Sequence, residues 1–445
     1  MGHISQVIFI LLLGATSYLV FVRIKQIASN IRLGKATDRS DNIGKRIKNV
    51  LLVSFGQKKM FKRPLPAILH LFVYLGFLIV NIEILEIVID GLFGSHRIFA
   101  PSFGQLYPYL IGFFEFFAVM VLISCVIFLI RRNILKVNRF KGIEMNKWPK
   151  LDANIILVAE ILLMVALLTM NASDTVLQQK AHPGYTPTGA FLFSGVLIPL
   201  LSGLNIDSLV FIERFTWWFH IIGVMAFAVY VFSDSKHLHI FMAFPNTFFG
   251  KLKPQGYWNN MPAVTKEVKL MLNINDPEQS ERDTESAGAV ERFGAKDATD
   301  LSWKNLMDAY TCTECGRCTA NCPANITGKK LSPRKIMMDT RDRVEEIGAN
   351  IRKNGVSTPD GKSLLGDYIS EEEIMACTTC NACVEACPVL IDPLDIIVQL
   401  RRYKIMEEAQ APTSWNSMFS NIENNFAPWK FAPSDRYNWA EKLNN

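Results

Sequence analysis

Five apolar stretches dictate what this chain can become. A bilayer's hydrocarbon core is about 30 Å thick, so an α-helix needs roughly 20 mostly apolar residues to span it. The segments Ile4 to Val22, Ala67 to Ile89, Pro108 to Ile130, Ala153 to Met170 and Thr216 to Phe232 meet or approach that length. A sixth run, Phe191 to Leu201, is too short and contains Pro199, and it reads as an interfacial or re-entrant element. No basic residues precede the first segment and no small-residue cleavage site follows it, so it reads as a retained helix rather than a signal peptide. The remaining half, from about residue 245, is polar and charged and carries eight of the nine cysteines. That division excludes a single soluble domain, a disordered chain and a disulfide-framed secreted module.

Charge gives the first half an orientation. The loop from Arg23 to Arg63 holds twelve Lys and Arg against Asp38 and Asp41, and the loop from Arg131 to Lys150 holds seven. The alternate loops have Arg97 in one case and Lys180 and Arg214 in the other. The positive-inside rule then predicts both basic loops, and the C-terminal half, in the cytoplasm, with the N-terminus outside a bacterial inner membrane. The net charge of +6 is thereby accounted for by membrane lipid, and no nucleic-acid partner is expected.

The second half repeats one motif. Cys312, Cys315, Cys318 and Cys322 precede Pro323, and Cys377, Cys380, Cys383 and Cys387 precede Pro388, both as C-x2-C-x2-C-x3-C-P. This is the bacterial-type ligand run for [4Fe-4S] clusters, in which the fourth cysteine reaches the other cluster. The predicted sets are Cys312, Cys315, Cys318 with Cys387, and Cys377, Cys380, Cys383 with Cys322. Zinc requires no trailing Cys-Pro, and a cytosolic domain disfavours disulfides. Cys322 and Cys377 stand 55 positions apart, far for a minimal ferredoxin, and Ser332-Pro333 followed by Arg334 to Arg352 predicts an N-capped helix between them.

Histidine depth narrows a second cofactor. His70 stands about one turn inside the second apolar segment, His220 near the outer end of the fifth, and His237 and His239 at its inner end. If the fifth helix is continuous, His220 and His239 lie about 28 Å apart, so His70 cannot share one iron with His220. His70 with His239 or with His237 predicts a bis-imidazole b-type haem near the cytoplasmic surface. On one helix His237 and His239 point nearly oppositely, so one of them should face the bundle interior. His220 could serve a second, outer haem, but Val80 and Asn81 stand where its partner would be needed. Carboxylates within apolar segments default to functional readings. Glu83 and Glu115, each about 10 Å inside the outer end, are candidates for a quinone and proton site.

These residues resemble two known groups. The five segments, His70 and the Ser235-Lys-His-Leu-His-Ile-Phe241 end resemble the haem b gamma subunit of respiratory nitrate reductase. That resemblance implies His70 and His239 as one haem pair and sets His220 at an outer ligand position, with a one-residue departure and without the second ligand on helix two. Trp303, Leu306, Asp308, Tyr310-Thr-Cys-Thr-Glu-Cys-Gly-Arg-Cys318 and Gly328-Lys-Lys-Leu-Ser-Pro333 resemble the iron–sulfur module of oxidoreductases related to heterodisulfide reductase. That group includes the iron–sulfur type of electron-transfer flavoprotein:quinone reductase. Glu423-Asn-Asn-Phe-Ala-Pro-Trp429 resembles a segment that leads there into cysteine-rich CCG domains.

The predicted fold class is an all-α membrane bundle of five transmembrane helices plus a cytoplasmic helical ferredoxin-like domain. The expected divisions are 1–244 membrane domain, 245–300 linker, 301–410 ferredoxin-like domain and 411–445 aromatic tail. The function expected is electron transfer between a cytoplasmic partner and the quinone or menaquinone pool. In the other direction, quinol oxidation would feed a CCG partner, and outside redox chemistry a membrane anchor is the rival. The soluble half has no Gly-rich dinucleotide loop, so substrate chemistry is expected on a CCG-domain iron–sulfur or flavoprotein subunit. Phe426, Trp429, Phe431, Tyr437 and Trp439 are its expected docking anchors.

Overall fold

The computed structural model describes residues 3–441 and 443, apart from 186, 190, 234 and 275–291. The polar part of the expected linker, Asn275 to Ser286, lies outside the described residues. Five long helices are long and apolar enough to cross a membrane: α1 (His3–Ile31), α2 (Pro64–Phe93), α3 (Tyr107–Leu129), α4 (Trp148–Gln179) and α5 (Ile206–Phe232). Pro64, Pro108 and Pro149 stand in first turns, where a missing N–H costs nothing, and Asn205 caps α5 by accepting from the Ser208 N–H at 2.8 Å.

The helices form a closed ring in chain order, α5 returning to α1. Lipid offers apolar side chains no reason to leave it, so the ring is held by close fit and internal polar contacts. Phe9 of α1 fills the centre against Trp217 of α5, and a Cβ on Gly91 of α2 would stand 2.7 Å from the Phe9 ring. The run Phe191 to Leu201 forms two short turns of helix, Ser194–Leu197 and Ile198–Leu201, too short to span.

Several expectations change. α5 starts ten residues before its apolar run, because Asp207, Glu213 and Arg214 interrupt hydropathy without interrupting helix. His220 is therefore near the middle of α5, about 21 Å from its start, and not near its outer end. α5 also stops at Phe232, where Ser233 turns extended. His237 and His239 lie beyond that break, on a 3-10 turn (Lys236–Leu238) and at the start of α6 (His239–Phe248). Their rings stack at 5.6 Å and 6° instead of pointing oppositely, since the regular 100° step does not hold across the break. The expected division at 244/245 falls inside α6.

The cysteine-rich unit is also helical, and no strand occurs among the described residues. α7 (Trp303–Thr311), α8 (Pro333–Asn354) and α9 (Pro393–Arg402) enclose a core that includes Leu306, Ile336, Val344, Ile397 and Leu400. Ser332 caps α8 with Pro333 at its first position, and Gly355 ends it at φ +77°. Residues 292–300, expected as linker, pack into this unit, where Ala295 and Ala298 are fully buried and Asp297 accepts from Arg343.

The unit docks on one end of the bundle, the end with both basic loops. Ile27 and Ile31 of α1 belong to the same core as Leu306. Asn30 donates to the Tyr310 hydroxyl at 2.8 Å and accepts from Arg352 at 3.0 Å. Backbone pairing continues the joint, with Lys35 N–H to the Leu301 carbonyl at 2.7 Å and Trp303 N–H to the Lys35 carbonyl at 3.0 Å. Gly34 makes this approach possible, because a Cβ there would stand 2.5 Å from the Trp303 nitrogen. Backbone cannot swing aside as a side chain can. We expect Gly34→Val to cost about 1–3 kcal/mol, read as a lower unfolding temperature and as faster proteolysis between α1 and α2.

Candidate functional site

The two cysteine runs fold alike. In the first, Glu314 and Gly316 have φ of +53° and +71°, and at the same places in the second, Thr379 and Asn381 have +57° and +62°. These left-handed residues turn the backbone so that successive cysteines face one void. Each run then enters a short helix, Arg317–Ala320 and Ala382–Ala386, and the two helices pack together. Cys312, Cys315, Cys318 and Cys387 line one cavity. Cys322, Cys377, Cys380 and Cys383 line the other. The last cysteine of each run thus stands with the first three of the other.

Among the described residues no three His, Cys, Asp or Glu side chains converge tightly enough to hold a single ion. Cysteines spread around a void suit a multi-iron cluster, whereas zinc needs donors gathered on one point. N–H groups already point at two sulfurs, Thr379 at Cys377 (3.4 Å) and Ile391 at Cys387 (3.3 Å). Burial pushes the Cys312 and Cys387 thiols up to about 12.

Basic residues join the first cavity to the bundle. Arg317 donates to the carbonyls of Lys59 and Met60 at 3.1 and 3.4 Å, and Arg334 to the Arg139 carbonyl at 2.7 Å and to Glu144 at 2.6 Å. Gly316 has no room for a side chain, since a Cβ would stand 2.5 Å from the Arg334 guanidinium. The helix of the second cavity reaches the same loop, where its Glu385 pairs with Lys62.

His70, His237 and His239 gather at the same end. The His70 and His239 ring centres are 6.4 Å apart at 40°. Two metal–nitrogen bonds of about 2 Å each, plus about 1 Å from each nitrogen to its ring centre, place bridged imidazoles roughly 6 Å apart. His70 Nδ1–H donates to Gln57 Oε1 at 3.0 Å and His239 Nδ1–H to the Lys236 carbonyl at 2.9 Å. Such bonds fix the tautomer that leaves Nε2 open for a metal. The Nδ1 of His237 is buried without a partner. Burial pushes His239 below the ordinary imidazole range, keeping it in the neutral form that ligates. His220 stands apart, its Nδ1–H donating to the Leu163 carbonyl at 2.9 Å and its Nε2 buried and unpartnered.

At the other end of the bundle Glu83 and Glu115 come together through Asn171, whose amide donates to Glu115 at 3.1 Å and to Glu83 at 3.4 Å. Arg97 lies 3.6 Å from Glu83 and donates to Asn171 at 2.7 Å and Asp174 at 3.0 Å. Glu83 Oε2 is buried with no partner. Asn171, Arg97 and Asp174 escaped the sequence reading. The lone basic residue of its loop, Arg97, was the available signal that a buried partner awaited it.

Comparison with known proteins agrees with this architecture. Residues 311–391 match the 4Fe-4S dicluster domain. The chain is 28% identical to the probable iron-sulfur-binding oxidoreductase FadF of Bacillus subtilis, over 98% of this chain and 61% of that protein. It is 26% identical to the EtfAB:quinone oxidoreductase of Syntrophomonas wolfei, over 91% of this chain and 55% of that one. A 107-residue stretch is 34% identical to one of the subunits of the ferredoxin/F(420)H(2)-dependent CoB-CoM heterodisulfide reductase of Methanosarcina acetivorans, covering 24% of this chain and 52% of that relative. The chain spans little more than half the length of the first two relatives. No solved structure matches it. Fold and likeness together define a membrane-spanning helical bundle that carries a dicluster iron–sulfur unit of the electron-transfer kind.

Cluster loading must deprotonate the cysteines, because thiolate and not thiol binds iron. With Cys312 and Cys387 raised to about 12, both are thiols at neutral pH in the iron-free chain. Protons therefore compete with iron, and we expect chelator stripping, followed by loss of cluster absorbance, to accelerate as pH falls from 8 to 6.

Proposed function

We propose that this chain is the electron-transfer subunit of a membrane-bound oxidoreductase, linking a cytoplasmic redox partner to the quinone pool through two [4Fe-4S] clusters and haem b. The observation that carries the reading is the alignment at one end of the bundle of a four-cysteine cavity with a pair of imidazoles held by their Nδ1 atoms. Cys312, Cys315, Cys318 and Cys387 would hold one cluster, and Cys377, Cys380, Cys383 and Cys322 the other. His70 and His239 would hold the haem, and His239 is favoured over His237 because its Nδ1 has a carbonyl acceptor. The bound clusters and haem supply one-electron chemistry, and the chain supplies ligands, spacing and burial.

The basic loops on the docked end support a cytoplasmic dicluster domain and an outer N-terminus. Glu83, with one oxygen unpartnered, and Glu115 would exchange protons with a quinone near the outer side. His220, its Nε2 unpartnered, is the residue available to a second haem. Likeness to an EtfAB:quinone oxidoreductase favours quinone reduction fed by a flavoprotein. Likeness to part of a heterodisulfide reductase favours delivery to a CCG partner. Trp429, Phe431, Tyr437 and Trp439, all well exposed, are suited to dock either.

Two sets of variants test the cofactors. Cys322→Ser is expected to remove the cluster of Cys377, Cys380 and Cys383 from the electron paramagnetic resonance spectrum and to spare the other. Replacing His70 or His239 with Ala is expected to abolish a low-spin b-type haem spectrum, and His237→Ala to preserve it. Haem loss with His237→Ala alone would reassign the ligand.

A further inference from the structure

Glu314 lies inside the first cysteine run, yet the turn does not need it. The second run makes the same turn, with the same left-handed backbone, using Thr379. Glu314 is 4% exposed, and a buried carboxylate without partners would be strongly destabilising. It accepts from Lys236 Nζ at 2.6 Å and from Arg341 at 3.1 Å.

Lys236 is held from both sides. Its Nζ also donates to the Pro149 carbonyl at 2.6 Å, and its backbone N–H donates to Asp152 of α4 at 3.1 Å. Asp152 is fixed in turn by the hydroxyls of Tyr230 (2.5 Å) and Ser235 (3.0 Å). The carbonyl of this same Lys236 accepts from His239 Nδ1–H. An uninterrupted path therefore runs from the cysteine loop, through a Glu–Lys pair and one peptide group, to the imidazole that faces His70.

We propose that Lys236 is a positioning residue, paired with Glu314, that ties the loop of the first iron–sulfur site to the His239 imidazole and sets the electrostatics of both. The proposal rests on the reading of His70 and His239 as haem ligands. Its physical content is directional: a fixed positive charge beside a redox centre favours the reduced form, and a fixed negative charge the oxidised form.

The test is a redox titration of the full-length chain in detergent, following haem absorbance and the resonance signals of the clusters. Lys236→Met is expected to shift the haem midpoint negatively and Glu314→Gln to shift it positively, each with haem and both clusters still bound. Glu314→Asp is expected to restore most of the wild-type midpoint. Lys330→Met, which breaks an exposed pair with Glu372, should change nothing. Opposite shifts separate this role from mere structural damage, which would move both variants alike. Haem midpoints and spectra that stay at the wild-type values in both variants would overturn the inference, as would shifts of the same sign. If Lys236→Met loses its cofactors, the near-isosteric Glu314→Gln decides alone. A wild-type chain with clusters and no haem overturns the haem assignment, and the inference with it.

Discussion

A cysteine cavity can exchange electrons with a membrane site only if the unit that contains it is held at a fixed place against the bundle, and here that fixing rests on one joint. α1 leaves the membrane-spanning region without a break and runs into the core of the cysteine-rich unit through Ile27 and Ile31. Backbone pairing of Lys35 with Leu301 and Trp303 then locks the exit, at a closeness only Gly34 permits. A linker of similar length would leave the separation of the redox sites to chance. The continuous helix removes that freedom.

Buried charge reinforces the joint from the other side. Arg334 of α8 is almost completely buried and is satisfied by Glu144 and the Arg139 carbonyl, both from the loop between α3 and α4. Separating the unit from the bundle would leave those groups without partners. Breaking a buried pair typically costs about 3–5 kcal/mol, more than the net benefit of forming it, so such pairs specify position more than they add stability. Lys236 and Glu314 follow the same logic nearer the imidazoles.

Much of this was legible in the residues. Apolar runs report spans because bilayer thickness sets a minimum length, and the cysteine spacing reports its own turn because the geometry is local. Features that depend on where a helix stops were not legible. α5 begins well before its apolar run and breaks at Ser233, which moves His220 to mid-helix and stacks His237 on His239. Long-range polar pairs were equally hidden: nothing in the order of the chain joins Arg97 to Asp174, or Glu314 to Lys236. Periodicity did not choose between His237 and His239; the family resemblance implied His239, and the 2.9 Å bond from its Nδ1–H to the Lys236 carbonyl favours the same proposal.

The central claim, that the imidazole pair and the two cysteine cavities form one electron route, is tested most directly by mixing the anaerobic full-length chain with a soluble quinol. Haem absorbance is followed in the same sample as the freeze-quenched resonance signals of the clusters. The account predicts a b-type haem that is reduced first, and cluster signals that grow only afterwards. Clusters reduced by quinol while the haem stays oxidised, or in a chain from which His70→Ala has removed the haem, would contradict it.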